Sequence, residues 1–180
     1  SKKVKSAKIA SAKQGNFLGC YAPYGYWKSP ENKHKLIIDE EAVEIVRRIF
    51  QMRADGVSVG KIAAKLNEEK ITPPRDYYYK KKGKPNPRRN VHNWTDGGVK
   101  HILVNEVYIG HMVQFKSGSV SYKNKKQIQK PKETWIKCEN THEPVIDIEI
   151  WNKVADMWQT KKASQRKRKA GYLPIFTGIL

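Results

Sequence analysis

Apolar residues recur at helical spacing in two successive segments of the chain. The first segment begins at Asp39, has acidic residues in its first turn and arginines in its last, and stops at Gly56. Its stripe consists of Ala42, Val43, Val46, Ile49 and Phe50, and its charge order complements a helix dipole. Ser58 can then cap a second helix that ends near Lys70, with a stripe of Val59, Ile62, Ala63 and Leu66. The short corner between the two predicts a helix-turn-helix-like unit.

A third helix is predicted after Trp94, where Thr95 can cap the first turn. Its inward face consists of Val99, Ile102 and Leu103, and its outward face carries Gly97, Lys100, His101 and Val104, with Gly98 near the start. Two glycines there would let the backbone lie close to the floor of a DNA groove, while the outward side chains meet phosphates or base edges. The alternative is that the glycine pair is only a flexible turn before a core helix.

The other segments predict shorter elements. Residues 17–27, rich in glycine, proline and aromatic rings, predict an extended or turning segment packed by those rings. Residues 75–93 predict a long, mobile surface loop, in which Tyr77, Tyr78 and Tyr79 either anchor the loop, the favoured interpretation, or stack on exposed bases. Residues 108–115 and 134–138 predict paired strands around a loop at 116–132. A last amphipathic helix places Trp151, Val154, Ala155 and Trp158 on one side.

The expected fold is therefore mainly α with a small antiparallel β element, an α+β fold with a helix-turn-helix or winged-helix-like centre. Residues 1–14, where lysine alternates with small and apolar residues, predict a basic arm or the end of a preceding helix with little apolar face to dock. Residues 15–160 form the expected domain. Residues 161–180 open with a basic run and predict a linker.

Charge changes the interpretation of these elements. The chain has 36 Lys and Arg against 17 Asp and Glu, a net charge of +19. Three stretches, 2–13, 75–89 and 161–169, hold eighteen of the basic residues and one acid, Asp76. Such runs are often solvated faces, but this segregation favours contact with a polyanion, above all double-stranded DNA. The candidate phosphate contacts are Lys3, Lys5, Lys8, Lys13, Arg75, Arg88, Arg89, Arg166, Lys167, Arg168 and Lys169.

Evidence for catalysis or a cofactor is thin. The histidines at 34, 92, 101, 111 and 142 show no metal-ligand spacing with one another or with Cys20 and Cys138, which are expected to be small packing residues in a reducing cytoplasm. The carboxylates cluster in first turns of helices, where capping and dipole effects explain them. No glycine-rich phosphate loop occurs and no apolar run could span a bilayer. The basic first residues, with no apolar run after them, lead us to expect no secretory signal. We therefore expect no catalytic residue, metal or cofactor here.

Five blocks of the sequence resemble, in order, the recombinase domain of large serine recombinases. They are GNFLGCYAPYGY at 15–26, LIIDEEAVEIVRRIF at 36–50, GVSVGKIAAKLN with ITP at 56–67 and 71–73, WTDGGVKHILVNEVYIG at 94–110, and PIFTGIL at 174–180. The blocks extend over nearly the whole chain. The loop at 75–93 is longer than the family pattern leads us to expect.

The resemblance implies a DNA-binding region of an integrase or transposase from a bacterial mobile element. Members of this family carry the serine nucleophile in a separate N-terminal domain and the zinc-binding cysteines in a ribbon that would follow Leu180, and the intact protein would act as a dimer or tetramer on attachment or transposon-end half-sites. Two other interpretations stay open on the residues alone: an RNA- or ribosome-binding protein, and, less favoured, a small nuclease.

Overall fold

The computed structural model of the chain describes residues 2–87, 92–119, 124 and 126–158. The helices in this part are α1 (Lys2–Lys13), α2 (Glu40–Ala54), α3 (Val59–Glu68), α4 (Pro74–Lys81), α5 (Asp96–Leu103) and α6 (148–158). The strands are β1 (Tyr26–Lys28), β2 (Leu36–Ile38), β3 (Met112–Gln114), β4 (Ser117–Ser119), β5 (Gln127–Gln129) and β6 (Ile136–Cys138). Short 3-10 turns span Glu106–Ile109 and Lys132–Thr134. The predicted α+β fold class is confirmed.

The described strands form three small antiparallel ribbons rather than one sheet. Tyr26 of β1 lies opposite Ile38 of β2, and Met112 of β3 lies opposite Cys138 of β6. The second pairing confirms the strands predicted around residues 108–115 and 134–138. The prediction of a plain loop at 116–132 was wrong. This segment contains the third ribbon, in which β4 pairs with β5.

Three helices form the centre of the fold, where α2, α3 and α5 pack against one another. The predicted stripes of α2 and α3 are buried, apart from a partly exposed Val59. Ser58 caps α3 by accepting a bond from the Lys61 amide at 3.4 Å, as predicted. Gly56 ends the α2 segment with a φ of +89°, a left-handed conformation that favours glycine.

Aromatic side chains fix the segment before β1 to this centre, as predicted for residues 17–27. The Tyr26 hydroxyl donates to the Glu143 carbonyl at 2.8 Å, and the Tyr108 hydroxyl donates to the Tyr24 carbonyl at 2.8 Å. Both rings are buried, and they stack with centroids 6.1 Å apart. Since each buried hydroxyl has a partner, the rings contribute apolar area without leaving a polar group unsatisfied.

The prediction of one long surface loop at 75–93 was wrong, since its first part is helix α4. Pro74 occupies the first turn of α4, where its missing N–H is no disadvantage, so the proline pair starts a helix rather than only ending the previous one. The side chain of Asp76 connects α4 to the residues after it, because it accepts hydrogen bonds from the side chains of Asn86 and His92. Residues 88–91 of the predicted loop lie outside the described part.

The carboxylate of Asp39 does not act in the way the sequence suggested. Asp39 has the extended backbone conformation of an N-cap residue of α2, but its side chain makes no capping hydrogen bond. Buried instead, it accepts bonds from the Tyr77 hydroxyl at 3.0 Å and from Lys81 Nζ at 2.6 Å. Burial and the nearby Asp39 carboxylate raise the pKa of Tyr77, so its hydroxyl stays protonated and donates. Tyr77 thus anchors α4, as the favoured interpretation of the tyrosine cluster requires.

Helix α1 is docked more firmly at one end than its sequence indicated. Ala12 is buried, and α1 packs against β6. The Cys138 thiol contributes to this contact by donating to the Ala12 carbonyl at 3.2 Å. Cys20, by contrast, is exposed, so its expected role as a packing residue was wrong.

Candidate nucleic-acid interface

Helix α5 is held rigidly at its beginning by α3. The Asn67 side chain bonds both backbone groups of Trp94, accepting from its N–H at 2.7 Å and donating to its carbonyl at 3.0 Å. The indole N–H of Trp94 donates to the Ile71 carbonyl at 2.9 Å. Thr95 then accepts a bond from the Gly98 amide at 3.1 Å, which confirms the predicted cap. The direction of α5 is therefore set by bonds to the adjacent helix.

The two faces of α5 are divided as the sequence predicted. Val99, Ile102 and Leu103 are at most 3 % exposed, whereas Val104 keeps 47 % of its surface. Gly97, Lys100 and His101 are exposed as well. The outward face therefore offers two hydrogen-bonding side chains followed by an apolar one.

The first turn of α5 has room on its outer side. Among the described residues, a Cβ atom added to Gly97 would have only the Thr95 hydroxyl within 4 Å, at 3.9 Å, and one added to Gly98 would lie 3.4 Å from the same oxygen. Neither glycine has a positive φ, so the backbone conformation does not require glycine at these positions. What the glycines provide is an uncovered helix backbone that another molecule can approach closely.

Lys100 has an aromatic neighbour that sequence reasoning missed. Its Nζ lies 5.5 Å from the ring centroid of Trp158 in α6, and the guanidinium of Arg53 lies 5.1 Å from the same ring. Both distances fall within the range of a cation–π contact. The ring therefore joins a buried residue of α2 to an exposed residue of α5.

Arg53 is an unusual residue for the interior. It is only 2 % exposed, its terminal nitrogen donates to the Val57 carbonyl at 3.0 Å, and its Nε has no hydrogen-bond partner within the described residues. The sequence places it among the arginines in the last turn of α2, where a solvated cation is expected. Its position three residues after Phe50 continues the apolar stripe of α2, and this periodicity was the available signal for its burial.

The candidate phosphate contacts on α1 are all exposed, namely Lys3, Lys5, Lys8 and Lys13. Lys8 also lines a cleft of about 440 Å³ together with Asn105, which follows α5, and with Lys116, which precedes β4. The structure therefore brings one lysine of the arm close to the end of α5. The described residues that line this cleft include no Asp or Glu.

The remaining candidates are not gathered around α5 by any described contact. Arg75 lies on α4, with its guanidinium 5.9 Å from the ring centroid of Tyr79. Tyr79 in turn meets the hydroxyl of Tyr21 at 3.2 Å. Arg88, Arg89, Arg166, Lys167, Arg168 and Lys169 lie outside the described residues.

In the described part of the chain, no three or more His, Cys, Asp or Glu side chains lie close enough together to hold a metal ion. The imidazole of His142 is engaged with the Val107 carbonyl at 2.7 Å, and burial lowers its pKa. No helix in the same residues is long and apolar enough for a membrane span. Lysines, an exposed histidine and an open helix start are suited to an anionic partner.

Two solved structures share this fold. One is a crystal structure of an LSR–DNA complex, with a TM-score of 0.52 and 22% sequence identity. The matched region covers 89% of this chain and 38% of that chain. The other, from work on the sequence requirements of the Listeria innocua prophage attP site, has a TM-score of 0.52 and 21% identity, and covers 87% of this chain and 51% of that chain. The chain thus spans about half or less of the length of these proteins.

The amino-acid sequence itself matches a protein family over residues 40–161, which is more than half of the chain and includes α2, α3, α5 and the β3–β6 ribbon. The family is described as Recombinase. This agrees with the five motifs that resemble large serine recombinases, and the chain belongs to the Recombinase family.

Proposed function

We propose that this chain is a DNA-binding region of a serine recombinase and that it holds one half-site of the DNA on which the recombinase acts. The observation that carries the proposal is the exposed face of α5, where an open first turn is followed by Lys100, His101 and Val104 on a helix of fixed direction. In this arrangement α5 enters the major groove, because that groove admits an α-helix and presents a distinct pattern for each base pair.

The side chains on this face have separate roles in the proposal. Lys100 and His101 donate hydrogen bonds to guanine edges or phosphates, and the Val104 methyl groups contact a thymine methyl. The lysines of α1 and the basic run at 161–169 contact phosphates, which supply affinity and position but carry no sequence information. The half-site then becomes accessible to a catalytic serine elsewhere in a longer recombinase.

The test begins with selection of a preferred duplex from a random pool by the purified chain. Affinities for that duplex, for random duplex and for RNA are then measured at one salt concentration. Lys100→Ala or His101→Ala should weaken binding to the selected duplex by about 1–3 kcal/mol and to random duplex by less, since bases are read there. Gly97→Leu should also lower selectivity, because its side chain holds the backbone away from the groove while the buried face of α5 is unchanged.

Ala64→Leu is the matched control, since it adds similar bulk at an exposed position of α3. It should leave selectivity unchanged. A Gly97→Leu chain that folds normally and selects its duplex as well as the parent would exclude α5 as the reading helix. RNA bound as tightly as the selected duplex would instead favour the RNA-binding alternative. Cleavage of DNA by the pure chain, lost on changing one histidine, would favour a nuclease.

A further inference from the structure

The β4–β5 ribbon has no evident role in the core. In the part of the chain that the structure describes, β4 pairs with β5 and neither strand joins a larger sheet. All three residues of β5 are exposed, including Ile128 at 45 %. Isolated two-stranded ribbons are only marginally stable in water. Burial of apolar area therefore does not account for this mostly polar, exposed ribbon.

The register gives the ribbon two different faces. Successive residues of a strand point to opposite sides, so the pairs Ser117–Gln129 and Ser119–Gln127 place four neutral hydrogen-bonding side chains on one face. Gly118 and Ile128 lie opposite each other on the second face. Glutamine and serine are side chains that bond the edges of bases and the phosphates of DNA.

The second face is cationic at its base. The Lys130 amide donates to the Lys116 carbonyl at 2.9 Å, which extends the pairing and sets two lysines opposite each other. Like charges in opposed positions destabilise a β ribbon. No Asp or Glu occurs between residues 116 and 130 to offset them. A polyanion alongside the ribbon would remove this repulsion.

Aromatic rings hold the two lysines without neutralising them. Lys116 Nζ lies 5.5 Å from the ring centroid of Trp135, and Lys130 Nζ lies 5.5 Å from that of Phe115. A Cβ atom on Gly118 would lie 2.8 Å from Lys130 Cε, so the glycine leaves room for the lysine stem. A ring face restrains an ammonium without neutralising it. Neither lysine forms an ion pair among the described residues, and the Glu106 carboxylate that acts on Lys116 is itself paired with Lys137 at 2.9 Å.

The base of the ribbon lies close to α5. Phe115, between β3 and β4, has a φ of +60°, a left-handed conformation that is uncommon for a residue with a side chain. The Trp135 indole N–H donates to the Lys130 carbonyl at 3.0 Å. Phe115 and Ser117 line the same cleft as Asn105, so the ribbon starts beside the end of α5.

We propose that the β4–β5 ribbon is a second DNA-contacting element that lies along the duplex next to the bases read by α5. The inference rests on the proposed function, because it takes duplex DNA as the partner. Duplex DNA fits the ribbon in shape and charge: a two-stranded β ribbon can enter a groove, and the cationic base can lie against phosphates.

The experiment uses the purified chain on the selected duplex with ten added base pairs at each side, measured by hydroxyl-radical footprinting and affinity. The paired change Gln127→Ala with Gln129→Ala should weaken binding roughly 10-fold, as two hydrogen bonds are lost. Protection should shrink at one side only, while the bases under α5 stay protected. Lys126→Gln, at the exposed lysine directly before β5, should lower the salt slope by about 0.9.

Gln51→Ala is the matched control, since Gln51 is an exposed glutamine of α2 that bonds Asp55 at 3.0 Å. It should change neither affinity nor footprint. Unchanged protection and salt slope in all ribbon variants would overturn the inference while leaving the α5 proposal intact. Loss of cooperative binding to two adjacent half-sites, with single-site binding unchanged, would also overturn it and assign the ribbon to contact between copies. A parent chain that does not bind duplex DNA would instead refute the proposed function.

Discussion

At the scale of single residues, the ring of Trp158 restrains the side chain of Lys100 through a cation–π contact. The ammonium of Lys100 lies 5.5 Å from the ring centroid, and no carboxylate lies within ion-pairing distance of it in the described part of the chain. An ion pair would neutralise the charge, whereas a ring face restrains the side chain and leaves its N–H groups available. In the proposed complex, Trp158 therefore acts as a positioning residue for Lys100.

Trp158→Leu should lower the ratio of selected-duplex to random-duplex affinity by about 2- to 5-fold, the size of one partly exposed cation–π contact. The same change in a Lys100→Ala background should have no further effect on that ratio, because the residue it positions is gone. A binding titration of the four chains measures this coupling.

The free energy of unfolding must be measured together with binding, because Trp158→Leu also removes the ring next to the buried Arg53. Trp151→Leu is the control on the same helix, since its ring faces Phe50 at 5.8 Å rather than a lysine. An equal fall in selectivity with and without Lys100 would show that Trp158 only stabilises the fold.

At the scale of elements, α4 depends on one buried polar contact. Tyr77→Phe removes the hydroxyl that donates to Asp39 at 3.0 Å and leaves a carboxylate that is 5 % exposed with fewer donors. Lys81 still bonds the carboxylate, so the free energy of unfolding should fall by about 1.5–3 kcal/mol, the contribution of one hydrogen bond to a charged group. Urea denaturation of the variant and the parent measures the difference.

The neighbouring Tyr78→Phe is the control, because the Tyr78 side chain is only partly buried and lies beside Tyr21. Its effect on unfolding should stay within about 0.5 kcal/mol. Equal effects of the two changes would show that the contact with Asp39 does not hold α4.

The elements that the sequence predicted are those whose signals are local. Helices α2, α3 and α5 carry apolar stripes and capping residues within one segment, and the structure confirms all three. Helix α4 was missed because it carries no apolar stripe and is stabilised by Asp39, 38 residues before Tyr77. The β4–β5 ribbon was missed because serine, glycine and glutamine give no alternating apolar pattern.

In the candidate site, too, only the features with a local sequence signal were predictable. The inward and outward faces of α5 follow from the helical period, and the structure confirms them. The neighbours of Lys100 and Lys116 do not follow from any period, because Trp158 and Trp135 come from distant segments. Contacts of this kind depend on how the elements pack, which one sequence does not encode locally.

At the scale of the whole molecule, a net charge of +19 should dominate the response of binding to salt. Each phosphate neutralised by a lysine or arginine releases condensed counterions, so affinity falls steeply as salt rises. If roughly six to ten phosphates are contacted, log affinity for duplex DNA should fall with a slope of about −5 to −9 against log salt concentration. Fluorescence anisotropy between low and physiological salt measures the slope, and a flat response would contradict the phosphate contacts.

The same measurement separates general affinity from base reading. Replacing Lys167 and Arg168 with glutamine should weaken selected and random duplex nearly equally and reduce the slope by about 0.9 for each lost contact, because phosphates are the same in both DNAs. Lys100→Ala should instead change the two affinities unequally, since that residue faces the bases in the proposed complex. If the linker variant lost selectivity while Lys100→Ala kept it, sequence reading would belong to the basic run at 161–169 rather than to α5.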